Sequence, residues 1–251
     1  MRYVAVFIAA LSLIPLPASA SANFSISPLG IGLTSSGSNA TITITNRSNT
    51  ALRIQATPYA WSQTETNDMV LKPTKQLVVY PTVFTVEPGQ ARKLRVGTTV
   101  PSEATQLAYR LVLEQLPSLQ AALAPKGQDA VDLRTRLTVP VVLRPSAPPT
   151  RSIAIQSATV SKSAVDVVLT NPGNAHAEVS TIRVHGIGQG GKSLFDKTGN
   201  AWYVLAGATR KFTIPVPAGH CADVKAVSID VTGTNIPEVK KTLNATGACS
   251  S

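Results

Sequence analysis

Apolar and polar residues alternate with a period of two in short runs along most of this chain. Ala40–Thr45 reads ATITIT. Leu52, Ile54 and Ala56 alternate up to Pro58; Leu77, Val79, Val83 and Val86 follow, then Leu94 and Val96, then Tyr109, Leu111 and Leu113. Side chains point to opposite faces along a strand, so each run lays its apolar residues on one face. The longest run, 130–143 (AVDLRTRLTVPVVL), puts Val131, Leu133, Leu137 and Val139 on one face and Asp132, Arg134, Arg136 and Thr138 on the other, with Thr135 in the apolar row. Such a stripe can fill its own domain's core, or it can be held out at a sheet edge for another protein by strand addition. Asn46–Asn49 and Pro88–Gly89 are turn signals, because Pro presets φ and Gly allows φ > 0. Trp61 is expected at a sheet end. Residues 116–128 carry Pro117, Pro125 and Gly127 and read as a loop.

Beyond 150, seven more apolar or alternating runs follow, at Ile153–Ile155, Val165–Leu169, Val179–Val184, Lys192–Phe195, Trp202–Leu205, Lys211–Val216 and Ala226–Val231. Asn171–Asn174 and Gly186–Gly191 read as turns. Between the two sets, Arg144–Pro149 holds three prolines in six residues, which makes a stiff linker. The pattern predicts an all-β chain of two immunoglobulin-like β-sandwiches, 21–145 and 146–251, joined at a fixed elbow.

Residues 1–20 stand apart. Arg2, an apolar run broken by Pro15 and Pro17, and Ala18-Ser19-Ala20 form the pattern of a secretory signal peptide. No other stretch is apolar enough to span a bilayer, so the product is expected to be exported and not membrane-embedded. The net charge is +10, but no Lys/Arg block is interleaved with aromatics, and nucleic acid is not an expected partner. In an oxidising compartment Cys221 and Cys249 are expected to pair, two reduced thiols being the alternative. His176, His185 and His220 have no ligand spacing, and no nucleophile elbow, phosphate loop or dinucleotide fingerprint occurs. No enzyme activity, metal or cofactor is therefore expected.

Three blocks in order carry a resemblance: TVFTVEPGQARKLRVG (Thr82–Gly97), AYRLVLEQLP (Ala108–Pro117) and, after a variable loop, VPVVLRP (Val139–Pro145). They resemble the first domain of the PapD-like periplasmic chaperones of the chaperone–usher pathway. Asn200–Ile214 (NAWYVLAGATRKFTI) resembles the family's second domain. The resemblance implies a periplasmic chaperone that lends a strand to a pilus subunit lacking its own last strand, and then delivers it to an outer-membrane usher. The lent strand would be Val131–Val139, inserting Val131, Leu133 and Leu137, with Thr135 filling its pocket weakly. The family also holds the subunit's C-terminal carboxylate with two basic residues in the interdomain cleft.

Here the sequence departs from the usual pattern. The first-strand Arg falls near Gly30 and the Lys of the lent strand falls at Pro140. The VPV and RVG segments resemble the archaic branch, which assigns the anchors to Arg95 and Arg110 on neighbouring strands; solvated sheet-face arginines are the alternative. Pro140 either ends the lent segment or bends it into the hinge. Arg144 either pairs with a carboxylate across the elbow or is an exposed charge, and Trp202 and Tyr203 are core or cleft-wall aromatics. Two rivals remain. A pilus subunit or adhesin would need its own donor extension, whereas SANFSISPLG reads as a conventional first strand. A carbohydrate-binding or enzymatic sandwich would need an exposed aromatic row or a carboxylate pair.

Overall fold

The computed structural model of the chain describes residues 24–117, 134–219 and 221–244. In its first half the strands are β1 (Phe24–Ser27), β2 (Ile31–Leu33), β3 (Asn39–Asn46), β4 (Leu52–Ser62), β5 (Val70–Pro73), β6 (Leu77–Tyr80), β7 (Val83–Val86), β8 (Ala91–Thr98), β9 (Leu107–Gln115) and β10 (Arg136–Leu143). One sheet runs β1-β3-β8-β6; the facing sheet runs β2-β10-β9-β4-β5, with β7 also on β4. The inward rows meet in one core. Ile42 and Ile44, Leu94 and Val96, Tyr109, Leu111 and Leu113, and Val139, Val141 and Leu143 are all buried in it. Burying each large aliphatic contributes about 1.5–3 kcal/mol, so alternation alone favours this pairing of faces.

Two prolines test the reading of the strands. β4 does not stop at Pro58 but runs on to Ser62, and Trp61 lies within it. The Ala56 N–H donates to the Thr82 carbonyl on the β7 side. Pro58 has the same parity, and it falls where β7 pairing has ended at Gln55 and β5 pairing starts at Tyr59. A missing N–H costs no ladder bond there. The N-terminal segment is also not one strand. β1 pairs with β3, and after Pro28–Gly30 the chain crosses to the other sheet, where β2 runs parallel to β10.

The second half forms β11 (Ala154–Val160), β12 (Ala164–Thr170), β13 (Ala177–Ile187), β14 (Ser193–Asn200), β15 (Tyr203–Val204), β16 (Thr209–Pro215), β17 (Ala226–Gly233) and β18 (Val239–Asn244). The sheets are β11-β12-β16 and β14-β13-β17-β18, with β15 on β13. Gly186, expected in a turn, lies inside β13, where an added Cβ would sit 2.4 Å from Phe195 Cε1. β18 went unread because only its ends, Val239 and Leu243, are apolar and pack on the core. Each sandwich is closed by a buried asparagine amide. Asn46 donates to the Thr50 and Val86 carbonyls, and Asn171 to those of Ala175 and Val204. Among the described residues no helix is long and apolar enough to cross a membrane.

Candidate functional site

β10 has one paired edge and one that is mostly bare. Along its whole length it pairs antiparallel with β9, from Arg136↔Glu114 to Leu143↔Leu107. On its other side β2 covers only Val141–Leu143. The Gln115 N–H donates to the Thr135 carbonyl, and the Arg144 N–H to the Leu33 carbonyl. Odd-numbered residues therefore aim their backbone groups at β9, and Arg136, Thr138 and Pro140 aim theirs outward. Among the described residues no strand pairs with that outer edge. Pro140 removes an N–H from the free edge, not from the β9 ladder, and β10 runs on through it to Leu143.

The apolar row of this strand divides. Val139 is buried in its own domain's core, and Leu137 is half-buried against the same core. The expectation that the row is held out for another protein is thus corrected at Val139, which has the same parity as core-filling Val141 and Leu143. Thr135 is half-buried. Val131 and Leu133 lie outside the described residues, as do the signal-peptide pattern, His220 and Cys249. Cys221 is half-buried, with its Sγ 3.9 Å from the Val160 carbonyl oxygen.

Arg110 stands opposite Pro140 on one side and Tyr59 on the other. Tyr109 and Leu111 point into the core, so Arg110 must point away from it. It is nevertheless only 2% exposed, because the second domain covers this face. Its guanidinium carbon lies 3.7 Å from the Trp61 ring centroid and 5.0 Å from that of Trp202. Nε and Nη2 are buried without a hydrogen-bond partner. Burial pulls the guanidinium below its ordinary pKa, with Tyr203 and Asp68 opposing.

Trp61 is held by an Nε1–H bond to the Asp68 carbonyl (2.7 Å) and packs edge-on against Tyr203. Gln63 ties the domains by donating to the Tyr203 carbonyl and accepting from the Leu205 N–H. Arg210 donates to the Thr64 carbonyl. On the other flank the His176 backbone N–H and ring Nδ1–H both donate to Gln106 Oε1, at 2.9 and 2.7 Å. Between these ties lies a recess of about 190 Å³, walled by Gly30, Gly32, Trp61, Pro140, His176 and Tyr203 among others. Tyr203 is therefore a cleft-wall aromatic, while Trp202 does not line the recess but packs beside Tyr203 and Arg110, 43% exposed.

The other proposed anchor is elsewhere. Arg95 lies on β8, which belongs to the sheet across the core from β9, so the two strands are consecutive in the chain but not neighbours. Leu94 and Val96 fill the core, which forces Arg95 to the outer surface beside Lys93, Arg92 and Tyr80. Arg144 is exposed and lies over Gly32, where an added Cβ would sit in ordinary contact with its Nε at 3.5 Å. Gly30 and Pro140 are in contact: a Cβ on Gly30 would meet Pro140 Cγ at 3.6 Å. Among the described residues no three metal-ligating side chains converge.

Residues 23–149 match the family described as pili and flagellar-assembly chaperone, PapD N-terminal domain. The chain belongs to this family. Its solved relatives cover both sandwiches. The E. coli chaperone DraB is 19% identical, with a TM-score of 0.54 over 88% of this chain and 96% of its own. The CsuC–CsuE chaperone–tip subunit complex of the archaic Csu pili of Acinetobacter baumannii matches at 18% identity and a TM-score of 0.52, over 76% and 90%. The Salmonella enterica SafB chaperone–SafA pilin complex matches at 15% and 0.53, over 90% and 99%. At these identities the likeness is one of fold. No curated protein matches in sequence.

Proposed function

We propose that this member of the PapD-type family is a periplasmic chaperone that caps pilus subunits by lending them a strand and passes them to an outer-membrane usher. The observation that carries the reading is the bare outer edge of β10 lying beside a cleft that buries an unpartnered guanidinium. A subunit missing a strand exposes both an apolar groove and unpaired backbone groups. An open edge supplies the ladder, and apolar side chains continuing the Leu137 row, Val131 and Leu133 in the sequence, supply the plug. Each large aliphatic buried contributes about 1.5–3 kcal/mol, and pairing both edges blocks edge-to-edge aggregation. No nucleotide is needed, because the stored drive is the subunit's unmet burial.

Arg110 is the carboxylate anchor in this reading. A guanidinium offers a carboxylate two parallel hydrogen bonds, and two of the Arg110 nitrogens are free to make them. Arg95 plays no part. The likeness to the archaic CsuC chaperone, together with Gly30 and Pro140 at the usual basic positions, supports assignment to the archaic branch. Export through the N-terminal signal and a Cys221–Cys249 disulfide complete the proposal.

The test is co-expression with a pilus subunit encoded beside this chain, followed by recovery of a one-to-one periplasmic complex. Leu133→Asp is expected to abolish the complex while leaving a folded chain. A complex recovered at wild-type yield from that variant would refute strand donation.

A further inference from the structure

We infer that Trp202 is a gate over Arg110: in the free chain Trp61 and Trp202, one from each domain, close on the guanidinium, and a carboxylate reaches it only when Trp202 swings aside. This rests on the reading of Arg110 as the carboxylate anchor. Three observations carry it. Arg110 is 2% exposed, and the buried Nε and Nη2 meet no acceptor, so these two nitrogens are withheld both from water and from protein oxygens. What it does meet is ring faces, which attract a cation but accept no conventional hydrogen bond from it.

The two rings are unequally held. Trp61 is 5% exposed and pinned through its indole N–H to the Asp68 carbonyl. Trp202 is 43% exposed and lies between β14 and β15, outside both strands. Its preceding residue is tied through the Ala201 N–H to the Ser180 carbonyl, and its following residue through the Tyr203 carbonyl to Gln63. The backbone on either side is thus fixed while the ring itself is half in water. Side-chain rotation, without movement of either domain, is enough to uncover the guanidinium. Trp61 is the floor and Trp202 the movable cover.

The consequence is competition. In this reading the Trp202 ring stands against the Nε and Nη2 edge, where a carboxylate must bond in the guanidinium plane, so the ring interaction is given up on binding.

The chain contains two tryptophans, and both touch Arg110. Their indole N–H resonances in the ¹⁵N-labelled chain therefore report on the site. The probe is N-acetyl-leucyl-valine, with its C-terminal amide as control. Binding of the free acid but not the amide, lost in Arg110→Gln and tightened about two- to fivefold in Trp202→Ala, is expected from the size of one such ring contact. Trp202→Phe should return the constant towards wild type. The Trp61 indole signal checks that Trp202→Ala remains folded. Binding that is lost in Arg110→Gln but unchanged or weakened in Trp202→Ala overturns the gate and leaves the anchor standing. No binding to either the wild type or Trp202→Ala overturns the anchor, and the gate with it.

Discussion

Arg110→Met should make the free chain more stable and useless for subunit capture. The guanidinium is buried, and Nε and Nη2 have no acceptor. A buried donor left unsatisfied costs about 1–3 kcal/mol. The faces of Trp61 and Trp202 return part of this, at about 0.5–2 kcal/mol each. Methionine has a similar length, carries no donor and packs favourably against aromatic rings. Replacing a buried, poorly paired charge by an apolar side chain of like volume is often stabilising, and a net gain on the order of 1–3 kcal/mol is expected here. The assay is urea unfolding of the free chain, wild type against variant, with the midpoint and slope fitted separately. A gain of this size would raise Tm by about 5–15 °C for a domain of ordinary length. The same variant, co-expressed with a pilus subunit, should recover little or no complex. A variant less stable than wild type by 1 kcal/mol or more would refute the reasoning, because it would mean the guanidinium is already satisfied in the free chain. Undiminished capture would refute the role of Arg110 as the anchor.

Asn171→Ala removes a buried amide that bridges the Ala175 and Val204 carbonyls, and should cost the second domain about 1–3 kcal/mol in urea unfolding. Gly186→Ala drives a Cβ into the Phe195 ring and should destabilise by about 1–3 kcal/mol; Phe195→Leu in the same chain should recover part of the loss. His176 is held below its ordinary pKa by burial first and by Arg151, with Glu178 opposing. The unfolded chain thus takes up this proton at higher pH than the folded one, so the His176 contribution is complete above the unfolded value near 6.5 and is lost as pH falls through the lowered folded value. The wild-type minus His176→Gln difference in urea midpoint should shrink between pH 8 and pH 5; a flat difference would contradict this.

Which strands exist was legible from this sequence, but which strands touch was not. The period-two rows of Ile42–Ile44, Leu94–Val96 and Leu111–Leu113 are local, and each became an inward face. Alternation reads the same in either sheet of a sandwich, however. The resemblance to the archaic branch put Arg95 and Arg110 on neighbouring strands, but β8 and β9, though consecutive in the chain, lie in different sheets. Periodicity correctly turned Arg95 outward and said nothing of the second domain lying over Arg110. A signal for that cover was present. In Tyr109-Arg110-Leu111-Val112-Leu113 the outward row also holds an apolar residue, Val112, and it is buried as well. A strand apolar on both faces is covered on both, and a charge within it is either paired or waiting. The two departures from the familiar family pattern have a joint geometric sense. Gly30 and Pro140 touch each other, and Pro140 stands directly opposite Arg110. In the proposed reading the cation missing from those two positions has moved one strand inward, to Arg110, whose guanidinium is steadied on the Trp61 ring.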